Sequence, residues 1–136
     1  ANGGKLFGTL GCAKCHPIAA DQQGGGAPSL AEARRRFTVP HVVESVLLPS
    51  KQIAEPFRGT TLSLASGQIL AGLVVGETAE HVELLLPDAT RKQIKKSEID
   101  ERSPATLSPM PVGLVKTPQE LADLLRYVLS ENPTPP

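Results

Sequence analysis

Both cysteines of this 136-residue chain lie in one five-residue stretch, Cys12-Ala13-Lys14-Cys15-His16. Whatever chemistry the thiols carry is thereby confined to a single turn of backbone. A disulfide closing so small a loop would constrain little of the unfolded chain. The pair reads as a chemical site and not as part of a disulfide framework. Composition points the same way. Aromatic residues make up only 3% of the chain and there is no Trp, whereas a domain of this size normally fills its core with several large rings. The deficit fits a fold whose largest buried apolar body is not an amino acid.

A histidine directly after the second cysteine narrows the chemistry. Cys-x-x-Cys-His is the attachment pattern of haem c. Each thiol would form a thioether with one vinyl group, and the two-residue spacer matches the vinyl separation when the segment turns helically. His16 would then lie under the iron and donate an imidazole nitrogen. Two other chemistries use a close cysteine pair. A redox-active dithiol wants a strand–helix context, and only a short Gly-punctuated segment precedes Cys12. A zinc site would need two further ligands. His16, His41 and His81 are on offer, but no second close pair follows. One covalently bound haem c is the expectation. Its iron takes a sixth ligand or leaves that position open. Met110 is the only Met and stands in Ser108-Pro109-Met110-Pro111. Flanking prolines stiffen that loop, so it would present the sulfur at a fixed point. The expected metal ligands are His16 and Met110, with His41 and His81 as rivals read as surface or capping residues.

The bulk numbers exclude several classes. Lys+Arg and Asp+Glu are both 14, so no global field draws the chain toward nucleic acid or an anionic membrane. No apolar run is long enough to span a bilayer, and no direct membrane insertion is expected. The first residues carry no basic segment followed by an apolar stretch, so no signal peptide is expected within the sequence. The chain then begins after a cleavage or was cut from a longer protein.

Periodicity sketches the elements. Gly3 to Leu10 reads as a first helix, with Leu6, Phe7 and Leu10 on one side. Ser29 and Glu32 have capping-box spacing for a short helix. Arg34, Arg35 and Arg36 form a basic run, a solvated face or a docking patch. Thr38 caps a helix from Val39 to Leu48, and Pro49 stops it. The pattern then changes to strands at Thr61 to Ala65, Gln68 to Val75 and Glu80 to Leu86, with Arg91 to Lys95 as a fourth. This predicts a small antiparallel meander packed on the helical part. Thr117, Pro118 and Glu120 start the last helix, with Leu121, Leu124, Leu125 and Val128 as its apolar stripe. Asn132 onward is a Pro-rich tail expected to fray or to begin a linker. The fold class expected is mainly α, one domain over 1–136. Its helical core is 1–58 and 102–132, its β insert 59–101 and its tail 133–136.

Gly3-x-x-x-Phe7, the Cys12–His16 motif, a Pro-Leu after a Gly-rich loop, the Met110-Pro111 loop and a last helix with Tyr127 together resemble class I cytochrome c. The resemblance implies that the first and last helices cross closely, with Gly3, Phe7 and Tyr127 permitting the crossing. It also implies that the Pro28 carbonyl accepts a hydrogen bond from His16. A narrower resemblance covers nearly the whole chain. It is to the haem-binding domain of Planctomycetes and Verrucomicrobia, in which a strand-rich segment lies between the third helix and the Met loop. Here that segment contains Ser66-Gly67-Gln68-Ile69-Leu70-Ala71-Gly72. Ala27-Pro28-Ser29-Leu30 stands where that family commonly has Gly-Pro-Asp-Leu.

The functional expectation is a non-enzymatic, single-haem electron carrier. Cys12, Cys15, His16, Pro28, Leu30 and Met110 form the cofactor site, and Val46, Leu47, Leu114 and Leu125 join Leu30 as its dry wall. The redox partner would be an attached or partner dehydrogenase, or a terminal oxidase chain. Covalent haem attachment in the family implies a periplasmic or other extracytoplasmic compartment. The alternative is a haem-based gas sensor or peroxidase-like domain with a displaceable Met110. A third possibility makes the strand insert a recognition module rather than a shield for a haem edge.

Overall fold

The computed structural model, which describes residues 2–136, brings the two ends of the chain together. Helix α1 (Asn2–Thr9) packs against α4 (Pro118–Val128). The approach is closest at Gly3, where an added Cβ would lie 2.0 Å from Asp123 O and 2.6 Å from Tyr127 Cβ. Only a residue without a side chain fits there. One turn on, Phe7 is 1% exposed and meets Tyr127 with ring centroids 5.5 Å apart and planes tilted by 52°. Burying one such ring contributes about 1.5–3 kcal/mol of transfer free energy. Phe7, Ile18, Ala33, Leu124 and Val128 form the core of this first unit. The unit takes the chain up to Lys51 together with Val112–Pro136.

Two shorter helices complete it, α2 (Ala33–Arg36) and α3 (Val39–Leu47). The Thr38 side chain caps α3 by accepting from His41 N, and α4 carries the full Thr117/Glu120 capping box. The Ser29/Glu32 box does not form. Glu32 itself precedes α2 in a left-handed conformation without a side-chain cap, and Ser29 Oγ instead accepts from Ala31 N at 3.2 Å. A hydroxyl bonded two residues ahead stabilises a turn in competition with a helix start. The Pro-rich tail is not loose. Tyr127 donates its hydroxyl to Thr134 O, and Pro136 lies over Gly8.

The second unit, Gln52–Pro111, holds five strands: β1 (Thr60–Leu64), β2 (Ile69–Glu77), β3 (His81–Leu85), β4 (Arg91–Lys95) and β5 (Ile99–Pro104). All neighbours are antiparallel, in the order β4-β3-β2-β1-β5. Alternation puts Leu62, Leu64, Val82, Leu84 and Ile94 on a common core. Register shifts near Ser63/Leu64 and Val74/Gly76 bend the sheet. Arg91, Lys92 and Lys95 stand exposed on the edge strand β4, which discourages edge-to-edge pairing.

The sheet corrects the mainly α expectation. Helical residues amount to 30% of the chain and strand residues to 22%, a mixed α/β fold with a five-stranded antiparallel sheet. Four of the five strands are legible as segments between turn residues, whereas the fifth, β5, reads Ile-Asp-Glu-Arg-Ser-Pro. With one aliphatic residue it shows no apolar alternation. It becomes a strand by pairing with the distant β1, from Thr60↔Pro104 to Leu64↔Ile99.

Glu77 ties β2 to the chain leaving β4. Its carboxylate accepts from Lys96 Nζ at 2.9 Å and Arg102 Nη1 at 3.1 Å. Those bonds, Lys96 first and Arg102 second, hold its pKa below the ordinary glutamate value. A carboxylate with a depressed folded pKa adds stability above its unfolded pKa, and that stability is lost as the pH falls through the folded value. Urea unfolding should therefore find Glu77→Gln less stable than wild type at neutral pH. The gap should close below about pH 4. A gap independent of pH would mean that the ion pairs contribute nothing.

The crossing makes a second prediction. Gly3→Ala should lower stability by about 1–3 kcal/mol or more, because backbone must move to admit the methyl. Gly8→Ala, whose Cβ would meet Pro136 at an ordinary 3.4 Å, should instead gain up to about 1 kcal/mol of helix propensity. Thermal melts of the two variants should move in opposite directions.

Candidate functional site

The cysteine-histidine stretch begins where α1 ends. Gly11 adopts φ 85°, ψ 4° and turns the chain into a single 3-10 turn, Cys12–Lys14. Backbone bonds close the turn: Lys14 N to Gly11 O at 3.1 Å, Cys15 N to Cys12 O at 3.2 Å and His16 N to Cys12 O at 2.9 Å. The cysteines form no disulfide. Cys12 packs against the helical core, and burial is the main cause that pushes its thiol pKa up, with Cys15 adding to the rise. A reactive dithiol needs the opposite shift.

His16 is the most constrained side chain of the stretch. Its Nδ1 lies 2.7 Å from Pro28 O. A carbonyl only accepts, so Nδ1 carries the proton and Nε2 keeps its lone pair. Burial lowers the imidazole pKa and the Pro28 bond raises it, with burial the larger effect. With Nδ1 committed to Pro28, Nε2 is the ring nitrogen left to ligate a metal. Within hydrogen-bonding reach the same loop is tied again, since Leu30 N donates to Pro17 O at 2.7 Å and Ala27 N to Cys15 O at 3.3 Å. Gln22 Oε1 accepts from Ile18 N at 2.7 Å and Ala19 N at 3.1 Å, which holds the strand of chain leaving His16.

Cys12, Cys15, His16, Pro28 and Leu30 thus belong to the first unit, where Leu30 also packs on the core. Met110 belongs to the second unit. It is partly buried, and its backbone N–H donates to Ser108 Oγ at 3.2 Å. Of the expected dry wall, Val46 packs on the helical core, Leu114 and Leu125 are partly buried, and Leu47 is 43% exposed. His41 is exposed and stacked on Phe37, with ring centroids 5.3 Å apart. His81 lies on β3 in the second unit. Among the described residues no three His, Cys, Asp or Glu side chains gather as a metal site. A four-ligand zinc centre is therefore not built from the cysteine pair. An axial ligand set of one imidazole and one thioether needs no such cluster, and the donor chemistry of the first unit fits haem c. No helix among the described residues is long and apolar enough to cross a membrane.

Two contributors escaped the sequence reading. Gly25 was legible only as part of a flexible or tight Gly24-Gly25-Gly26 turn. In the structure an added Cβ at Gly25 would lie 2.5 Å from Lys14 O and 2.9 Å from Cys15 Cα. The loop rests directly on the backbone of the cysteine turn. Arg36 was part of an undifferentiated basic run. All three arginines of that run have partners within the unit: Arg34 with Glu131 at 3.0 Å, Arg35 with Glu32 at 3.7 Å, and Arg36 with backbone carbonyls.

No protein-family model matches the chain, and no curated protein matches it.

Gly25→Ala should cost about 1–3 kcal/mol, since backbone on both sides must shift. Gly24→Ala is the control. Its Cβ would approach nothing closer than 3.9 Å, and a loop Gly→Ala change without strain gains about 0.4–1 kcal/mol through the unfolded chain. Denaturant unfolding separates the two, and equal midpoints would show that the loop does not bear on the cysteine turn.

Proposed function

We propose that this chain is a monohaem c-type cytochrome domain that carries electrons. One observation carries the reading. The histidine that directly follows Cys-x-x-Cys has its Nδ1 committed to the Pro28 carbonyl at 2.7 Å, which leaves Nε2 as its only ligating atom. A metal-ligating histidine uses one ring nitrogen to ligate and donates the other N–H to a carbonyl, carboxylate or water, and the His16–Pro28 pair has that form.

Cys12 and Cys15 would hold the haem through thioether bonds, and His16 and Met110 would supply nitrogen and sulfur donors to its iron. When bound, the haem supplies a one-electron ferric/ferrous couple. The chain's own residues do the rest. The Pro28 carbonyl fixes the tautomer of His16 and raises its basicity, which favours the ferric state. A thioether from Met110 would favour the ferrous state and raise the potential relative to two histidines. Leu30 and Val46, which pack on the helical core, would form part of the apolar wall of the cofactor and weigh against the more highly charged state. The partner in this reading is a redox protein, a dehydrogenase that donates or an oxidase chain that accepts, in an extracytoplasmic compartment. The resemblance to class I cytochrome c and to the Planctomycetes and Verrucomicrobia haem-binding domain supports that assignment.

Absorption spectra of the oxidised and reduced protein test it, on wild type and Met110→Ala expressed with the haem attachment machinery. Wild type should show haem c bands and, when ferric, a near-infrared sulfur-to-iron charge-transfer band that the mutant lacks. The reduced wild type should resist carbon monoxide, whereas the mutant should bind it quickly. A high-spin wild type that binds carbon monoxide at once would exclude Met110 as a ligand and favour a gas sensor. A protein without haem c would end the cytochrome reading.

A further inference from the structure

Arg36 is exposed and stands twenty residues beyond His16, yet its contacts converge on the loop that orients that histidine. Its Nη1 donates to Ser29 O at 2.8 Å and to Ala31 O at 3.1 Å. The two carbonyls flank Leu30, and the first belongs to the residue right after Pro28. The guanidinium lies 4.8 Å from the centroid of the Phe37 ring. Phe37 in turn packs on the helical core and stacks on His41 with planes 23° apart. The cation is thus anchored on one side by a ring that belongs to the core and on the other by the loop.

We infer that Arg36 is a positioning residue for His16, a clamp that holds residues 28–31 so that the Pro28 carbonyl stays aimed at Nδ1. The inference rests on the reading of His16 as a proximal haem ligand and goes beyond it by assigning the group that keeps the orienting bond in place. A peptide carbonyl has freedom to rotate about the bonds on either side of its plane. Bonds from Ala31 N to Ser29 Oγ and from Leu30 N to Pro17 O fix the amides of this loop. They leave the carbonyls of Ser29 and Ala31 to a donor from elsewhere. Arginine suits that task, because a planar, always charged group can reach two acceptors while stacking on an aromatic face. Its neighbours do different work. Arg34 and Arg35 pair with the carboxylates of Glu131 and Glu32, and neither has a contact with the loop carbonyls.

The test reads the orienting bond itself. Wild type, Arg36→Met, Arg36→Lys and Arg35→Met are prepared as whole chains. Haem c is counted by the pyridine haemochrome spectrum, and solvent exchange of the His16 Nδ1 proton is followed by nitrogen-15 NMR in the reduced protein. Loss of a charge-assisted bond should speed that exchange about tenfold in Arg36→Met. Arg36→Lys should fall between it and wild type, since an ammonium can keep one of the two bonds. Arg35→Met should exchange as wild type does. Exchange in Arg36→Met equal to wild type, or an equal acceleration in Arg35→Met, would overturn the clamp. A wild type without haem c would overturn the cytochrome reading instead. The same proton, followed in the haem-free chain, would then still decide whether Arg36 holds the loop.

Discussion

Helices α1 and α4 touch at Gly3 with no room for a side chain between them, and the rest of the first unit is arranged around that contact. It sets Phe7 against Tyr127 and gives Leu124 and Val128 a common core with residues from the first third of the chain. The cysteine turn starts three residues after α1 ends, so the position of the candidate site follows from where α1 is held. The tail reinforces the same place, with Thr134 bonded to Tyr127 and Pro136 over Gly8.

Around His16 the order comes from backbone groups. The carbonyl oxygens of Pro17, Pro28, Ser29 and Ala31 all accept bonds from identified donors. No Asp, Glu, Lys or Arg side chain is buried among the described residues. The loop is therefore fixed without the desolvation cost of a buried ion pair, and the one charge it uses, on Arg36, keeps contact with water. Such a scheme is sensitive to where backbone lies and tolerant of which side chains decorate it. That explains why Gly25, with no side chain at all, is among the most constrained positions.

The sheet is a self-contained addition. Thr60 pairs with Pro104, and Ala105 N donates to Gly59 O at 2.9 Å, so the segment starts and finishes at neighbouring points. A meander closed by its last strand on its first can be carried within a longer chain at little cost in loop entropy. It has its own apolar core and charged edges.

Local signals in the sequence marked the candidate site and most elements. Cys12, Cys15 and His16 are adjacent in the chain. The caps at Thr38 and Thr117 act within one turn, strand β1 alternates apolar and polar residues, and turn residues bound β2 and β3. All of these are short-range, so composition and spacing suffice to see them. What tertiary structure alone decided is everything that depends on distant backbone. The pairing of β5 is the clearest case, because Ile99–Pro104 has no strand pattern until β1 supplies a partner. The same holds for Ser29, whose hydroxyl turned to Ala31 instead of capping a helix, for the docked tail, and for Arg36, indistinguishable from Arg34 and Arg35 by sequence. A hydrogen bond to a main-chain carbonyl leaves no trace in the identity of the residue that accepts it, so the sequence could name His16 while only the fold could show what holds it.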